Sequence, residues 1–111
     1  MYDFDDTENK PMARVYLSFL GTNDYVECLY YGDSFEMDRP VRFVQEATIL
    51  HNCREWGTDD RILIFTTREA EEKNWKDDGH VDHKTGLSLK RKGLETCLKA
   101  LQQAGLRTPF F

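Results

Sequence analysis

Two apolar runs of strand length constrain this chain most, Val15 to Leu20 (VYLSFL) and Arg61 to Thr66 (RILIFT). The first is mostly apolar, β-branched or aromatic, and ends at Gly21. The second ends on Thr66 and Thr67. Such near-continuous runs suit buried strands of a parallel sheet better than half-exposed ones. Between them, Tyr25 to Tyr31 and Phe35 to Met37 read as a short hairpin turning at Gly32-Asp33-Ser34. Pro40 then opens a predicted helix, as proline is tolerated in a first turn. Phe43, Ala47, Leu50 and Arg54 form its stripe, with Val44, Thr48 and His51 beside them. The helix is expected to stop at Trp56-Gly57, with glycine as a left-handed cap.

Beyond the second run, Thr66 and Glu69 have capping-box spacing, which predicts a short helix directly after the strand. Lys76 to Thr85 is polar and reads as a loop. Leu94, Cys97, Leu98, Leu101 and Ala104 keep helical spacing, and Gly105 follows as a cap. Leu106-Arg107-Thr108-Pro109-Phe110-Phe111 resembles the approach to another strand. Strand, hairpin, helix, strand, helix is the order of an open α/β sheet with right-handed crossovers. Two core parallel strands make a thin sheet, so the domain is expected to be incomplete in this chain or completed by another chain.

Composition closes off several classes. A length of 111 residues supports one small domain. No apolar run approaches the roughly 20 residues of a membrane helix, and no signal peptide opens the chain. Cys28, Cys53 and Cys97 are odd in number, widely spaced and without a C-x-x-C pair. That fits reduced cytoplasmic thiols and argues against a disulfide framework or structural zinc. The net charge of −5 is partly an end effect: four of the 20 acids and one of the 15 bases fall in residues 1–11. Those residues are expected to be a flexible acidic tail, and Met12 is itself a candidate start. The remainder is nearly neutral, a poor surface for long nucleic acid, though compatible with a small phosphorylated ligand.

Ligands of open α/β sheets bind outside the carboxyl ends of the strands. Two polar loops fall there, Gly21-Thr22-Asn23-Asp24 and Thr66-Thr67-Arg68. Gly21 permits close backbone approach, and Thr22 and Asn23 offer hydrogen bonds to phosphate or base edges. The helix start behind Thr66 and Thr67 presents free N–H groups to an anion. The same residues also make an ordinary turn and an ordinary helix cap, and both readings stay open on these grounds. Neither G-x-G-x-x-G nor G-x-x-x-x-G-K-[ST] occurs, so a dinucleotide enzyme or a P-loop NTPase is unsupported. His80-Val81-Asp82-His83 has metal-ligand residue types but no distant third ligand, and reads as a solvated loop. His51 and Cys53 share no helical face. The Glu69, Glu71, Glu72 cluster beside Arg68 and Lys73 reads as helix surface. Trp56 and Trp75 read as packing residues, and no catalytic constellation is identifiable.

Three stretches together carry a resemblance: Val15 to Tyr25 (VYLSFLGTNDY), Arg42 to Ala47 (RFVQEA) and Ile62 to Trp75 (ILIFTTREAEEKNW). Their order and spacing resemble the CARF domain of CRISPR-associated proteins, nearest to the Csx/Csm-type accessory effectors of type III systems. The resemblance runs from about Met12 to Gly105. It implies a Rossmann-like open sheet with parallel core strands and a small hairpin insertion, residues 12–111 being the amino-terminal part of that domain. It further implies a cytoplasmic homodimer whose symmetric pocket binds cyclic oligoadenylate and controls an attached effector, often a HEPN ribonuclease. Carried onto this chain, Gly21, Thr22, Asn23 and Asp24 are the first ligand loop. Thr66 and Thr67 are a second wall, and Arg42 and Gln45 match the family helix. The family continues into further strands and a second ligand-contacting motif, and no HEPN-type Arg and His spacing occurs here. No cofactor or metal is implied. Two alternatives stand beside the sensor: a ring nuclease or part of a CARF–HEPN ribonuclease whose catalytic domain is absent here, and an interaction module without a nucleotide ligand.

Overall fold

The computed structural model describes residues 13–32 and 35–111. The expected acidic tail and the turn residues Asp33 and Ser34 lie outside the described residues. The fold is a small α/β arrangement. Strand β1 (Val15–Leu20) pairs in parallel with β4 (Arg61–Thr66), from Val15 opposite Arg61 to Leu20 opposite Thr66. Strands β2 (Tyr31–Gly32) and β3 (Phe35–Glu36) form the predicted hairpin. An antiparallel bridge between Cys28 and Val41 extends it. Helix α1 (Val44–Cys53) connects hairpin to β4. Helix α2 (Arg68–Ala70) follows β4 and runs on as a π-helical turn, Glu71–Trp75. Helix α3 (Leu94–Gln103) comes last.

The final residues do approach a strand. Ile62 and Ile64 donate to the carbonyls of Pro109 and Phe111, and Phe111 donates back to Ile62, all within 3.0 Å. The segment therefore pairs in parallel with β4 on the side away from β1. Gly105 also behaves as read from the sequence. Its φ is +124°, with Leu106 N–H reaching Leu101 C=O and Gly105 N–H reaching Gln102 C=O. These are the two bonds of a Schellman cap.

Helix α1 departs from its sequence reading at both ends. It starts after Phe43 rather than at Pro40, and Glu46 Oε2 accepts the Phe43 N–H at 3.2 Å. It ends at Cys53 with right-handed Arg54 as cap, so Gly57 supplies no left-handed turn. The buried face is Gln45, Glu46, Ala47, Ile49 and Cys53, while Arg54 is exposed. Two buried polar residues hide this face from an apolar-spacing pattern.

The core lies on one side of the sheet. Leu20 and Ile62 from the strands, Phe43, Ile49 and Cys53 from α1 and its cap, and Leu94, Leu98 and Leu101 from α3 pack together. Trp75 is half-buried against this core and meets Phe110 edge-on. The opposite sheet face is bare among the described residues. Val15, Leu17 and Phe19 of β1 and Phe65 of β4 are exposed, Phe19 by 77%, with the Phe19 and Phe65 rings stacked at 5.5 Å. The expectation of strands buried on both faces is thus met on one. The apolar side chains are there, but no layer of the described chain covers them.

The start of the sheet is pinned by Asp60. Its carboxylate accepts from the Arg14 amide at 2.7 Å, the Arg14 guanidinium at 3.1 Å and the Gly57 amide at 2.8 Å. The Arg14 side chain, then the two amides, hold its pKa down to about 2. A depressed carboxylate contributes stability that is complete above the unfolded value of about 3.9 and is lost as pH falls toward the folded value. Asp60→Asn is therefore expected to lower the urea midpoint at pH 6, with the gap to wild type closing between about pH 4 and pH 2. A gap unchanged at pH 2 would show that the charge of Asp60 is not what stabilises the turn.

Candidate functional site

The carboxyl ends of β1 and β4 lie side by side at Leu20 and Thr66, and the loop 21–24 leaves from there. Gly21 donates its N–H to the Tyr25 hydroxyl at 3.0 Å, and a Cβ on Gly21 would sit 3.0 Å from the same oxygen. A side chain at this position would crowd the bond that closes the loop.

The loop is held from beneath by Asn74, which is fully buried on the π-helical turn. Its Nδ2 donates to Gly21 C=O at 2.7 Å and to Asn23 C=O at 3.0 Å. Its Oδ1 faces Arg42 Nη2 and His80 Nε2, each at 2.9 Å. Because Nδ2 serves two carbonyls, the amide orientation is fixed and Oδ1 must accept. Neutral His80 therefore carries its proton on Nε2 and leaves Nδ1 as a free base. Burial first, then the Arg42 charge, push the His80 pKa below its ordinary value.

Arg42 completes the frame. Nε donates to Tyr25 C=O at 3.0 Å and Nη1 to Lys92 C=O at 2.7 Å, while the guanidinium lies 4.7 Å from the Phe43 ring centre. One cation thus joins the loop after β1, the π-helical turn and the segment entering α3. Burial is the main cause of its lowered pKa, and Arg91 the next.

Above this frame opens a cavity of about 470 Å³, with Thr22, Asp24, Lys73, His80, His83 and Lys84 on its walls. The segment read from sequence as a polar loop builds its far side. Val81 bridges Ser88, Leu89 N–H reaches His80 C=O at 2.7 Å, and Asp82 N–H reaches Leu87 C=O at 2.9 Å. Asp24 pairs with the Arg91 guanidinium.

The sequence-predicted residues thus divide. Thr22, Asn23 and Asp24 are exposed, and Thr22 and Asp24 line the cavity. Gly21 and Asn23 give their carbonyls to Asn74. Thr66 and Thr67 are exposed at the strand end, outside the cavity wall. The helix cap is Thr67, whose Oγ1 accepts from Ala70 N–H at 3.1 Å, so the Thr66–Glu69 capping box does not form. Helix α2 is a single turn, and Thr67 already occupies the Ala70 and Glu71 amides. Arg42 is bound up in the frame. Gln45 is buried, and its Nε2 donates to Ser18 Oγ and Phe19 C=O, both at 3.2 Å. Its Oε1 is buried without a partner.

Sequence reasoning missed Asn74 and the cavity roles of Lys73, Lys84 and the 80–83 segment. No spacing rule singles out one asparagine in Glu72-Lys73-Asn74-Trp75. Its partners lie 32 to 53 residues away, except His80. Among the described residues no group of three or more His, Cys, Asp or Glu is placed to hold a metal ion. No helix of the described residues is long and apolar enough to cross a membrane. Comparison with known protein families, with curated proteins and with solved structures finds no match.

Proposed function

We propose that this chain is a sensor module of type III CRISPR defence, a Rossmann-like CARF unit that binds cyclic oligoadenylate as a cytoplasmic homodimer. The observation that carries the reading is the loop Gly21–Asp24 at the carboxyl edge of a parallel sheet. Its backbone is fixed by Asn74, with Thr22 and Asp24 lining the cavity beside it. A preorganised loop of this kind spends little entropy on capturing a ligand. Thr22 and Asn23 would donate to phosphate or adenine edges. Thr66 and Thr67, exposed at the adjoining strand end outside the cavity, would meet the ring from that side, and Arg42 and Gln45 would act as positioning residues. The bare apolar sheet face supports association with a further layer or chain, since parallel sheets are ordinarily covered on both faces.

Calorimetric titration with cyclic tetra- and hexa-adenylate, with linear tetra-adenylate as control, tests the proposal. Ring-selective binding is expected. Thr22→Ala and Asn23→Ala should each weaken it about tenfold, the worth of one hydrogen bond to a charged group. Binding untouched by both substitutions would place the ligand elsewhere. A well-folded chain that ignores every ring would favour an interaction module.

A ring nuclease is the second reading, favoured by the presence of His80, His83, Lys73 and Lys84 on one cavity wall with Thr22. The free Nδ1 of His80 suits a general base for a ribose 2′-hydroxyl. Linear adenylates formed from the ring by this chain alone, and lost in His80→Ala, would establish it. Binding without product leaves the sensor.

A further inference from the structure

A second groove of about 520 Å³ lies on the other side of the Arg91–Asp24 pair, between the 39–42 segment and the entry to α3. Arg39, Arg42, Lys90, Arg91 and Lys92 line it, opposed by Glu27 and Glu46. With Arg91 already paired to Asp24, four bases face two acids, still a local excess in a chain of net charge −5.

The basic run is held in place rather than waving in solvent. Arg91 N–H donates to Asp78 Oδ1, and Asp78 N–H donates back to Arg91 C=O, both at 2.7 Å. Lys92 C=O is clamped by Arg42 at 2.7 Å. Gly93 N–H donates to Asp77 Oδ1 at 2.7 Å, with Thr96 Oγ1 on the same oxygen at 2.8 Å. Three successive residues are thus anchored through their backbones, which leaves the side chains of Lys90 and Lys92 to the groove. Among the described residues, neither these two lysines nor Arg39 forms an ion pair. Crowding unpaired cations around a concave surface costs folding energy, and an anion bound there returns it. The lining has no aromatic ring, so no base-stacking platform exists and the recognised group is the phosphate itself.

We infer that this groove is a binding site for a chain of phosphates, as in a nucleoside triphosphate or inorganic polyphosphate, gripped by Arg39 from one wall and by Lys90 and Lys92 from the other. The volume lies in the range of small-ligand clefts, roughly 300–1,000 Å³. The inference is independent of the oligoadenylate reading, because it uses neither Thr22 nor the cavity above His80.

Tripolyphosphate and ATP, titrated into the whole chain by calorimetry at 50 and 200 mM salt, are the probes. Binding is expected with both, about tenfold weaker at the higher salt. Lys90→Glu with Lys92→Glu should weaken it at least tenfold, and Arg39→Glu about fivefold. Lys99→Glu makes a charge change on the exposed side of α3 and should leave it within twofold. Thr22→Ala should also leave it unchanged. Loss in Lys99→Glu equal to that in Lys90→Glu, Lys92→Glu would reduce the effect to net charge and overturn the site. Loss in Thr22→Ala would move the phosphates to the strand-end cavity, with the same consequence. A single-stranded RNA binding more tightly than either probe would overturn the assigned ligand class. Circular dichroism of each variant keeps a folding defect distinct from a binding defect.

Discussion

Asn74→Leu is expected to lower stability by about 3–5 kcal/mol and to abolish the oligoadenylate binding proposed for the strand ends. The substitution keeps the branched four-heavy-atom skeleton and removes both polar atoms of the side chain. Gly21 and Asn23 lose the donor that satisfies their carbonyls, and Arg42 and His80 lose their common acceptor. Each buried group left unpaired costs roughly 1–3 kcal/mol, and more when it is charged. The losses are not independent, so their sum is an upper bound. Asn74→Asp separates the two ends of the amide. It keeps an acceptor for Arg42 and His80 but turns a carboxylate oxygen toward two carbonyls. Its stability should fall as far as that of Asn74→Leu if the loop contacts dominate, and markedly less if the Arg42 contact dominates. A thermal midpoint for Asn74→Leu within about 2 °C of wild type, against the roughly 15 °C expected from the free energy, would remove Asn74 from this role.

Gly79→Ala is the second large effect, expected at about 3 kcal/mol and with loss of the ordered 80–93 segment. A Cβ at residue 79 would stand 1.8 Å from the Glu72 carbonyl oxygen and 2.7 Å from Lys73 Cα. Both obstacles are backbone of the π-helical turn, so no side chain can swing aside to relieve them. The chain must pull away from the turn, and Asn74 and His80 part with it. Gly57→Ala is the matched control, because a Cβ there meets nothing within 4 Å. It should change the urea midpoint little, or raise it by restricting the unfolded chain. Hydrogen exchange of the 80–93 amides gives the local readout. Fast exchange in Gly79→Ala with slow exchange in α3 is the expected pattern, and unaltered protection across both segments would contradict the close approach.

These effects sit where the sequence is least informative. The two strands, the second long helix and the final approach to β4 are readable because each depends on a local pattern of apolar side chains or a glycine at a helix end. Gly105 needs only its positive φ and the helix before it. The start of α1 needs more. Pro40 can open a helix, yet the segment 38–41 is drawn into the hairpin by Cys28, and Phe43 takes the start instead. Thr66 and Thr67 illustrate the same limit one residue apart. Either can cap by composition, and the strand register decides, since Thr66 is still paired with Leu20.

The sequence by itself determined the α/β order, the parallel pair and the position of the polar loops at its carboxyl edge, because periodicity and chain direction are local properties. The frame beneath those loops was decided by tertiary structure alone. Asn74, Arg42 and His80 meet because folding brings residues 21, 42, 74, 80 and 92 to one point. A hydrogen bond of a buried amide has no sequence period. The bare face of β1 is likewise a tertiary outcome, since Val15, Leu17 and Phe19 are apolar whether or not a layer lies over them. Side-chain chemistry can be read along a chain, but burial and partnership exist only once distant segments have closed around a group.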